Sequence, residues 1–224
     1  DEERSRPYMW RYWRALPPPG DSWRLAGSRW PRRRRRPPLP APGGSRPGGL
    51  PPDLANARAG TATAVAGGAS LDAVRSVLAS FEGLPHRVQY VASIDGVSYF
   101  DDSKATAPHA VFAAVRAFPH VVLIAGGRNK GLDLSVLGAL GAHVRAVVGI
   151  GEAAGEVIAA FPDRPGTAAA TMEEAVAAAA RLAQPGDAVV LSPGCASFDW
   201  YRNYGERGDH FAEIVRARQA GGNP

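Results

Sequence analysis

Lysine is almost missing from this chain: of its 26 basic residues only Lys104 and Lys130 are lysines, and the rest are arginines. A chain this biased uses guanidinium wherever a generic positive charge suffices, so a retained lysine marks a place that needs a compact, hydrated point charge. Cysteine is scarcer still. Cys195 stands alone, which excludes an internal disulfide and fits a reducing compartment. No apolar run reaches membrane-spanning length, and no signal-type apolar segment follows Asp1-Glu2-Glu3, so a cytoplasmic protein without a membrane partner is expected. The five histidines, His86, His109, His120, His143 and His210, lack zinc-site spacing, and no protein-held metal is expected. A phosphate loop of the form G-x-x-x-x-G-K-[ST] occurs nowhere in the chain.

What is present divides near residue 50. The first fifty residues hold twelve Arg, ten Pro, four acids and four of the five Trp, so they carry a surplus of positive charge larger than the +5 of the whole chain. The remainder is therefore net acidic, and the high pI belongs to the first segment. Such a composition cannot bury enough apolar surface to offset ordering entropy, and residues 1–50 are predicted to be disordered. Arg32 through Arg36 with nearby aromatics could serve as a nucleic-acid or anionic-membrane arm. The alternative, which the Arg/Pro/Gly bias favours, is that this stretch is non-native peptide from GC-rich DNA in a wrong frame.

From Asp53 the pattern becomes alanine-rich helix over 54–65, then a second helix over 71–81 capped by Ser70, whose Leu71, Val74, Val77, Leu78 and Phe81 form one apolar stripe suited to packing. Asp95-Gly96 between two alternating apolar runs predicts a hairpin of strands 88–94 and 97–100. Beyond Thr106 helices and strands alternate: helix 108–118, strand 121–125, helix 134–140, strand 146–150, helix 153–161, strand 167–170, helix 171–183, strand 188–191 and a closing helix from about Asp209 to Arg218. That alternation implies an α/β fold, a Rossmann-like, mainly parallel sheet flanked by helices. The expected organisation is residues 1–50 as the Arg/Pro-rich segment, 51–83 as two leading helices, 84–218 as the sheet domain and 219–224 as a tail.

Ligands of such sheets bind outside the carboxyl ends of the strands. Three ends carry chemistry here: Asp101-Asp102-Ser103-Lys104-Ala105-Thr106, Gly126-Gly127-Arg128-Asn129-Lys130-Gly131 and Ser192-Pro193-Gly194-Cys195-Ala196-Ser197. Ammonium groups, hydroxyls and backbone N–H groups converging from separate strands make an anion site, although each hydroxyl alone would more often be an ordinary cap. Gly149-Ile150-Gly151 through Gly155 suggests a dinucleotide loop, but its third glycine is one place too far along and no acid ends the next strand. Cys195 has no histidine partner in a nucleophile motif and reads as a small core residue.

The ordered set Gly83-Leu84-Pro85-His86-Arg87, Asp102-Ser103-Lys104-Ala105-Thr106, Gly126-Gly127 with Lys130-Gly131, Ser192-Pro193 with Cys195-Ala196-Ser197-Phe198-Asp199, and Asn203-Tyr204 with Glu206-Arg207-Gly208 resembles the Mur ligases. Within that family it is most similar to the branch that adds D-glutamate to UDP-N-acetylmuramoyl-L-alanine during peptidoglycan precursor synthesis. The resemblance spans about residues 53 to 218. It implies an ATP- and Mg2+-dependent, amide-forming ligase of three domains, of which this chain would carry the last helices of the central ATPase domain (51–83) and the whole amino-acid-binding domain (84–218). It further implies that Asn56, Arg87 and Asp102 face the nucleotide and that Lys104 serves its phosphates and is the catalytic cation. Thr106, Lys130, Ser197, the backbone at Phe198 and the ring of Tyr204 would hold D-glutamate. Where the family reads His-Asn-x-x-Asn, this chain reads Pro52-Asp53-Leu54-Ala55-Asn56, so only Asn56 remains of the adenine-side pair. Without a phosphate loop the chain alone is expected to be inactive, and UDP-N-acetylmuramoyl-L-alanine is a partner only if the other domains are present. A monomer is expected, and nucleic acid is not an expected partner. The competing readings are a non-catalytic amino-acid- or nucleotide-binding module and an Arg-rich nucleic-acid-binding protein.

Overall fold

The computed structural model describes residues 51–81 and 83–221; the Arg/Pro-rich segment 1–50 and the expectations attached to it lie outside the described residues. Two helices come first, α1 (Pro51–Ala66) and α2 (Leu71–Ser80), the second capped by Ser70, whose Oγ accepts from the Ala73 N–H at 3.2 Å. The apolar stripe of α2 is not buried: Leu71, Val77, Leu78 and Phe81 are all exposed. This departs from the expectation that the stripe packs: none of its residues enters either core of the sheet domain.

That domain is a six-stranded sheet with the order β1-β2-β6-β3-β4-β5. Its strands are β1 (Gln89–Ile94), β2 (Val97–Asp101), β3 (Val121–Gly126), β4 (Val144–Ile150), β5 (Gly166–Ala169) and β6 (Ala188–Gly194). Only the β1–β2 hairpin is antiparallel. Its turn has Asp95 and Gly96 both at positive φ (51° and 79°), the backbone that an Asp-Gly hairpin turn demands. The mainly parallel α/β architecture read from the sequence is the one observed.

The central strands β3 and β6 are buried along their whole length. Both faces of a parallel sheet are covered, so their sequences are continuous apolar runs rather than alternations. Val122 and Ile124 of β3 face a core shared with α5 (Met172–Leu182) and α6 (Tyr204–Gln219), where Met172, Val176, Phe211 and Val215 pack. Val121 and Leu123 face the opposite core, built from Val111 and Val115 of α3 (Pro108–Val115), Leu137 and Leu140 of a 3-10 turn (Ser135–Leu140) and Val157 of α4 (Ala154–Ala159).

Several expected bounds shift: the helix from Pro108 ends at Val115 rather than 118, and β6 runs on to Gly194 rather than 191. The segment 135–140 is a 3-10 turn rather than an α-helix, because a Cβ on Gly138 would lie 2.6 Å from Ala160 O and the chain is pressed against the end of α4 there. Strand β4 starts at Val144 instead of Ala146, since Arg145 is neutralised by Asp187 and can sit in the sheet. Finally, α6 begins five residues before Asp209, at Tyr204, with Asn203 as its N-cap accepting from the Glu206 N–H at 2.9 Å.

Candidate functional site

The strand order decides where the three chemistry-bearing turns meet. Strand β6 lies between β2 and β3, so the Ser197 turn that follows it is placed between the Lys104 turn after β2 and the Lys130 turn after β3. Backbone bonds join them. The Gly194 N–H donates to Ala105 O at 2.8 Å, tying β6's end to the Lys104–Thr106 turn. Arg128 and Ala196 exchange a reciprocal pair, Arg128 N–H to Ala196 O at 2.9 Å and Ala196 N–H to Arg128 O at 3.1 Å, which fixes the lysine-bearing turn beside the Ser197 turn. Gly127 (φ 123°) permits this approach, since a Cβ there would run into Ala196 O.

Lys104 is half-buried and Lys130 exposed. Among the described residues neither ammonium lies in an ion pair with a carboxylate; each instead stands over an aromatic ring, Lys104 Nζ 5.5 Å from the Tyr204 centroid and Lys130 Nζ 5.0 Å from that of Phe198. A ring face attracts a cation weakly and does not neutralise it, so both charges remain available to an anion. Thr106 is exposed at the rim and Ser197 is buried at its base.

Beneath this rim lies a carboxylate layer. Asp101 is buried, accepts from the Ser103 N–H at 2.8 Å and lies 2.7 Å from His86 Nδ1. Burial pushes its carboxyl up, and the His86 and Ser103 bonds partly oppose this. Asp102 is also buried, accepting from Ser192 Oγ at 2.7 Å and from the Val88 N–H at 3.3 Å. Its carboxyl is raised to about 7, chiefly by burial, with the Ser192 and Val88 bonds opposing the rise. Arg87 is exposed next to this layer, and the Lys104 N–H donates to His86 O at 3.1 Å.

The structure thus brings together Lys104, Thr106, Lys130, Ser197, Phe198 and Tyr204 at the carboxyl end of the sheet, with Arg87 and Asp102 at one side. Asn56 stands apart from them on α1, exposed. Cys195 is fully buried with its thiol raised to about 11 by desolvation, so it is no nucleophile at neutral pH. One buried group carries no role in the sequence reading: Arg207, on the first turn of α6, 1 % exposed. The signal for it is helical spacing, since Arg207, Phe211 and Val215 recur every four residues on the buried face of α6. A helix started at Asp209 leaves Arg207 outside that pattern.

Fold and site together define a class. Residues 86–195 match the glutamate ligase domain of the Mur ligases, and the sheet domain of this chain is a domain of that kind. It is 45% identical over 172 residues to the UDP-N-acetylmuramoylalanine–D-glutamate ligase of Desulfosudis oleivorans, a match covering 75% of this chain and 38% of that protein. The enzyme of the same name from Cupriavidus pinatubonensis is 50% identical over 149 residues, covering 65% of this chain and 30% of the relative. The chain therefore spans about a third of the length of the curated relatives it matches. Among solved structures, MurF ligase of Thermotoga maritima in complex with ADP shares the fold at a TM-score of 0.54 and 18% identity, covering 75% of this chain and 40% of that one. Among the described residues no helix is long and apolar enough to cross a membrane.

Proposed function

We propose that this chain is the amino-acid-binding portion of an ATP-dependent ligase that joins D-glutamate to UDP-N-acetylmuramoyl-L-alanine. The observation that carries the reading is the Arg128–Ala196 bridge, which sets Lys130, without a carboxylate partner among the described residues, beside Ser197 and across β6 from Lys104 and Thr106. A dicarboxylic amino acid suits that arrangement: one carboxylate meets the Lys130 ammonium, and the hydroxyls of Thr106 and Ser197 and the N–H of Phe198 donate to the remaining carboxylate oxygens. Tyr204 closes the side of the pocket near Lys104.

In such a reaction the terminal phosphoryl group of ATP activates the L-alanyl carboxylate as an acyl phosphate, and the D-glutamate amine displaces phosphate. Residues of this chain supply orientation and charge rather than proton transfer. Lys104 balances negative charge on the phosphoryl oxygens, while Arg87 and Asp102 border the nucleotide. Asn56 is the remaining contributor to the adenine side. Among the described residues no group of three or more His, Cys, Asp or Glu could hold a metal ion by itself, and Mg2+ would be held mainly by the phosphates of ATP. Nor does the sequence contain a phosphate loop, whose nest of backbone N–H groups two lysines cannot replace. Taken alone, the chain binds D-glutamate weakly and forms no amide.

The test is an NMR titration of the chain with D- and L-glutamate beside Lys130→Ala. Shifts confined to the 104–106, 130 and 196–198 turns, larger for the D enantiomer and lost in Lys130→Ala, are expected. Equal responses to both enantiomers, or a response that survives Lys130→Ala, would refute the pocket.

A further inference from the structure

The two lysine turns and the serine turn leave three different strands, yet their spacing must hold to within a fraction of an ångström if they are to clamp one small molecule. Backbone bonds link β6's turn to each neighbour separately. A single side chain reaches across both gaps. Arg207 Nε donates to Ser103 Oγ at 2.9 Å, and its Nη2 donates to Ser103 O at 2.9 Å and to Cys195 O at 3.2 Å. Ser103 Oγ in turn donates to Tyr204 O at 2.7 Å, which anchors the start of α6 to the same node. On the β3 side, Arg207 Nη1 sits so close to Gly127 that a Cβ there would lie 3.1 Å from it. Arg207 thereby touches the turn after β2, the turn after β6 and the turn after β3 at once.

This is an expensive way to fill space. Arg207 is among the largest fully buried side chains of the domain, its Nη1 is buried without a hydrogen-bond partner, and no carboxylate pairs with it among the described residues. Burial lowers its guanidinium to about 10, still far above neutrality, so the group is buried as a cation. An apolar side chain of similar volume would avoid that desolvation cost. What the apolar chain lacks is the planar fork, whose donors point in fixed directions at a hydroxyl and two carbonyls on separate segments.

We propose that Arg207 is a positioning residue for the amino-acid pocket: it sets the distance between the Lys104–Thr106 and Ser197–Phe198 turns and, through Gly127, their seat against the Lys130 turn. The inference rests on the reading of those turns as a D-glutamate site, but its mechanical half stands apart from any ligand. Charge at residue 207 is secondary, and the fork is the operative feature.

The experiment uses the chain as it stands with Arg207→Lys and Arg207→Met, well below their unfolding temperatures. Amide hydrogen exchange at Arg128 and Ala196 is compared with that of Val122 and Val189 in the strands, and the D-glutamate Kd of the folded population is measured by NMR. Exchange at the turn amides is expected to rise roughly tenfold relative to the strand amides, and the Kd to weaken roughly tenfold, equally for Lys and Met. A role in global stability alone would speed turn and strand amides by one common factor and leave the Kd of folded molecules unchanged; that outcome, or rescue of both readouts by Arg207→Lys, overturns the proposal. If the wild-type chain shows no response to D-glutamate, the pocket reading fails and the exchange comparison still decides the role of Arg207. Should both variants fail to fold, Ser103→Ala removes the acceptor of Nε while leaving the core, and turn amides indistinguishable from wild type would equally refute the proposal.

Discussion

The two ends of the sheet hold their least exposed arginines in opposite ways, although the exposed Arg128 beside Lys130 is paired with Glu152. At the amino end of β6, Asp187 is buried and meets Arg145 of β4 through two bonds, Nε to Oδ2 at 2.6 Å and Nη2 to Oδ1 at 3.1 Å, while the Gln184 N–H donates to the same carboxylate at 2.8 Å. Both charges of that pair have their answer inside the fold. At the carboxyl end, Lys104 and Lys130 rest on aromatic rings, and Arg207 is held by neutral oxygens alone. A cation satisfied by a carboxylate contributes to the fold; a cation left beside hydroxyls and ring faces is a cost to the fold that a bound anion can offset. Arg145 and the two lysines follow the same line, with Arg where a bidentate partner is built in and Lys where the partner arrives from solution.

The comparison breaks most visibly at the closed end. Asp187→Ala leaves the Arg145 guanidinium without its partner and frees the 184–187 turn, so a loss of about 3 kcal/mol is expected, in the range for breaking a largely buried pair. Urea melts of the chain give the number. The D-glutamate response of the remaining folded molecules should be unchanged, because nothing at that end reaches the pocket. A weakened response would show that the two ends are coupled through the sheet.

At the open end, Lys104→Arg should leave stability within about 0.5 kcal/mol, since no ion pair is lost. Carried into a full-length ligase, it should lower nucleotide-dependent turnover by about tenfold, because a planar fork cannot occupy the place of a compact ammonium at a phosphoryl group. Turnover at the wild-type rate would mean that charge alone matters, and the contrast between the two cations would lose its force.

How much of this was legible beforehand follows from which interactions are local. The runs at 121–125 and 188–191 are apolar because both faces of their strands are covered, and they read correctly as strands. Thr171 caps its helix, with the Glu174 N–H donating to Thr171 Oγ at 3.2 Å, while the Glu174 carboxylate reaches one residue past the cap and accepts from the Ala170 N–H at 2.8 Å. The strand ends bearing Lys104, Lys130 and Ser197 could likewise be named from the alternation of elements. Their meeting through Arg128–Ala196 and Arg207 could not, because those bonds join segments far apart in sequence. Arg145 misled for a related reason: a charge inside a strand reads as a boundary until its partner, 42 residues away, is known. The exposed stripe of α2 shows the reverse failure, since helical periodicity reveals that a face is apolar but not what it meets.

The last prediction separates the buried carboxylates from the paired one. Asp102 resembles Asp187 in burial, but its partners are neutral donors, Ser192 Oγ and the Val88 N–H, and its carboxyl is raised from 3.8 to about 7 where no arginine clasps it. Below pH 4 the group is protonated in folded and unfolded chains alike and contributes no pH dependence. Between about 4 and 7 the unfolded chain has lost the proton and the folded domain retains it, so stability falls as pH rises through this window; above 7 both forms are ionised and the penalty is complete. Asp102→Asn removes the titration while keeping shape, because the Ser192 hydroxyl can turn to accept from the amide and the carbonyl can still accept from Val88. Its urea stability should match wild type at pH 4 and exceed it at pH 8, with a shallower slope between. Some slope should persist, since Asp101 beside it is raised as well. Parallel curves for wild type and Asp102→Asn would mean that Asp102 is ionised throughout, held by Arg87 or by water as firmly as Asp187 is by Arg145, and the contrast between the two ends of the sheet would then be one of lysines alone.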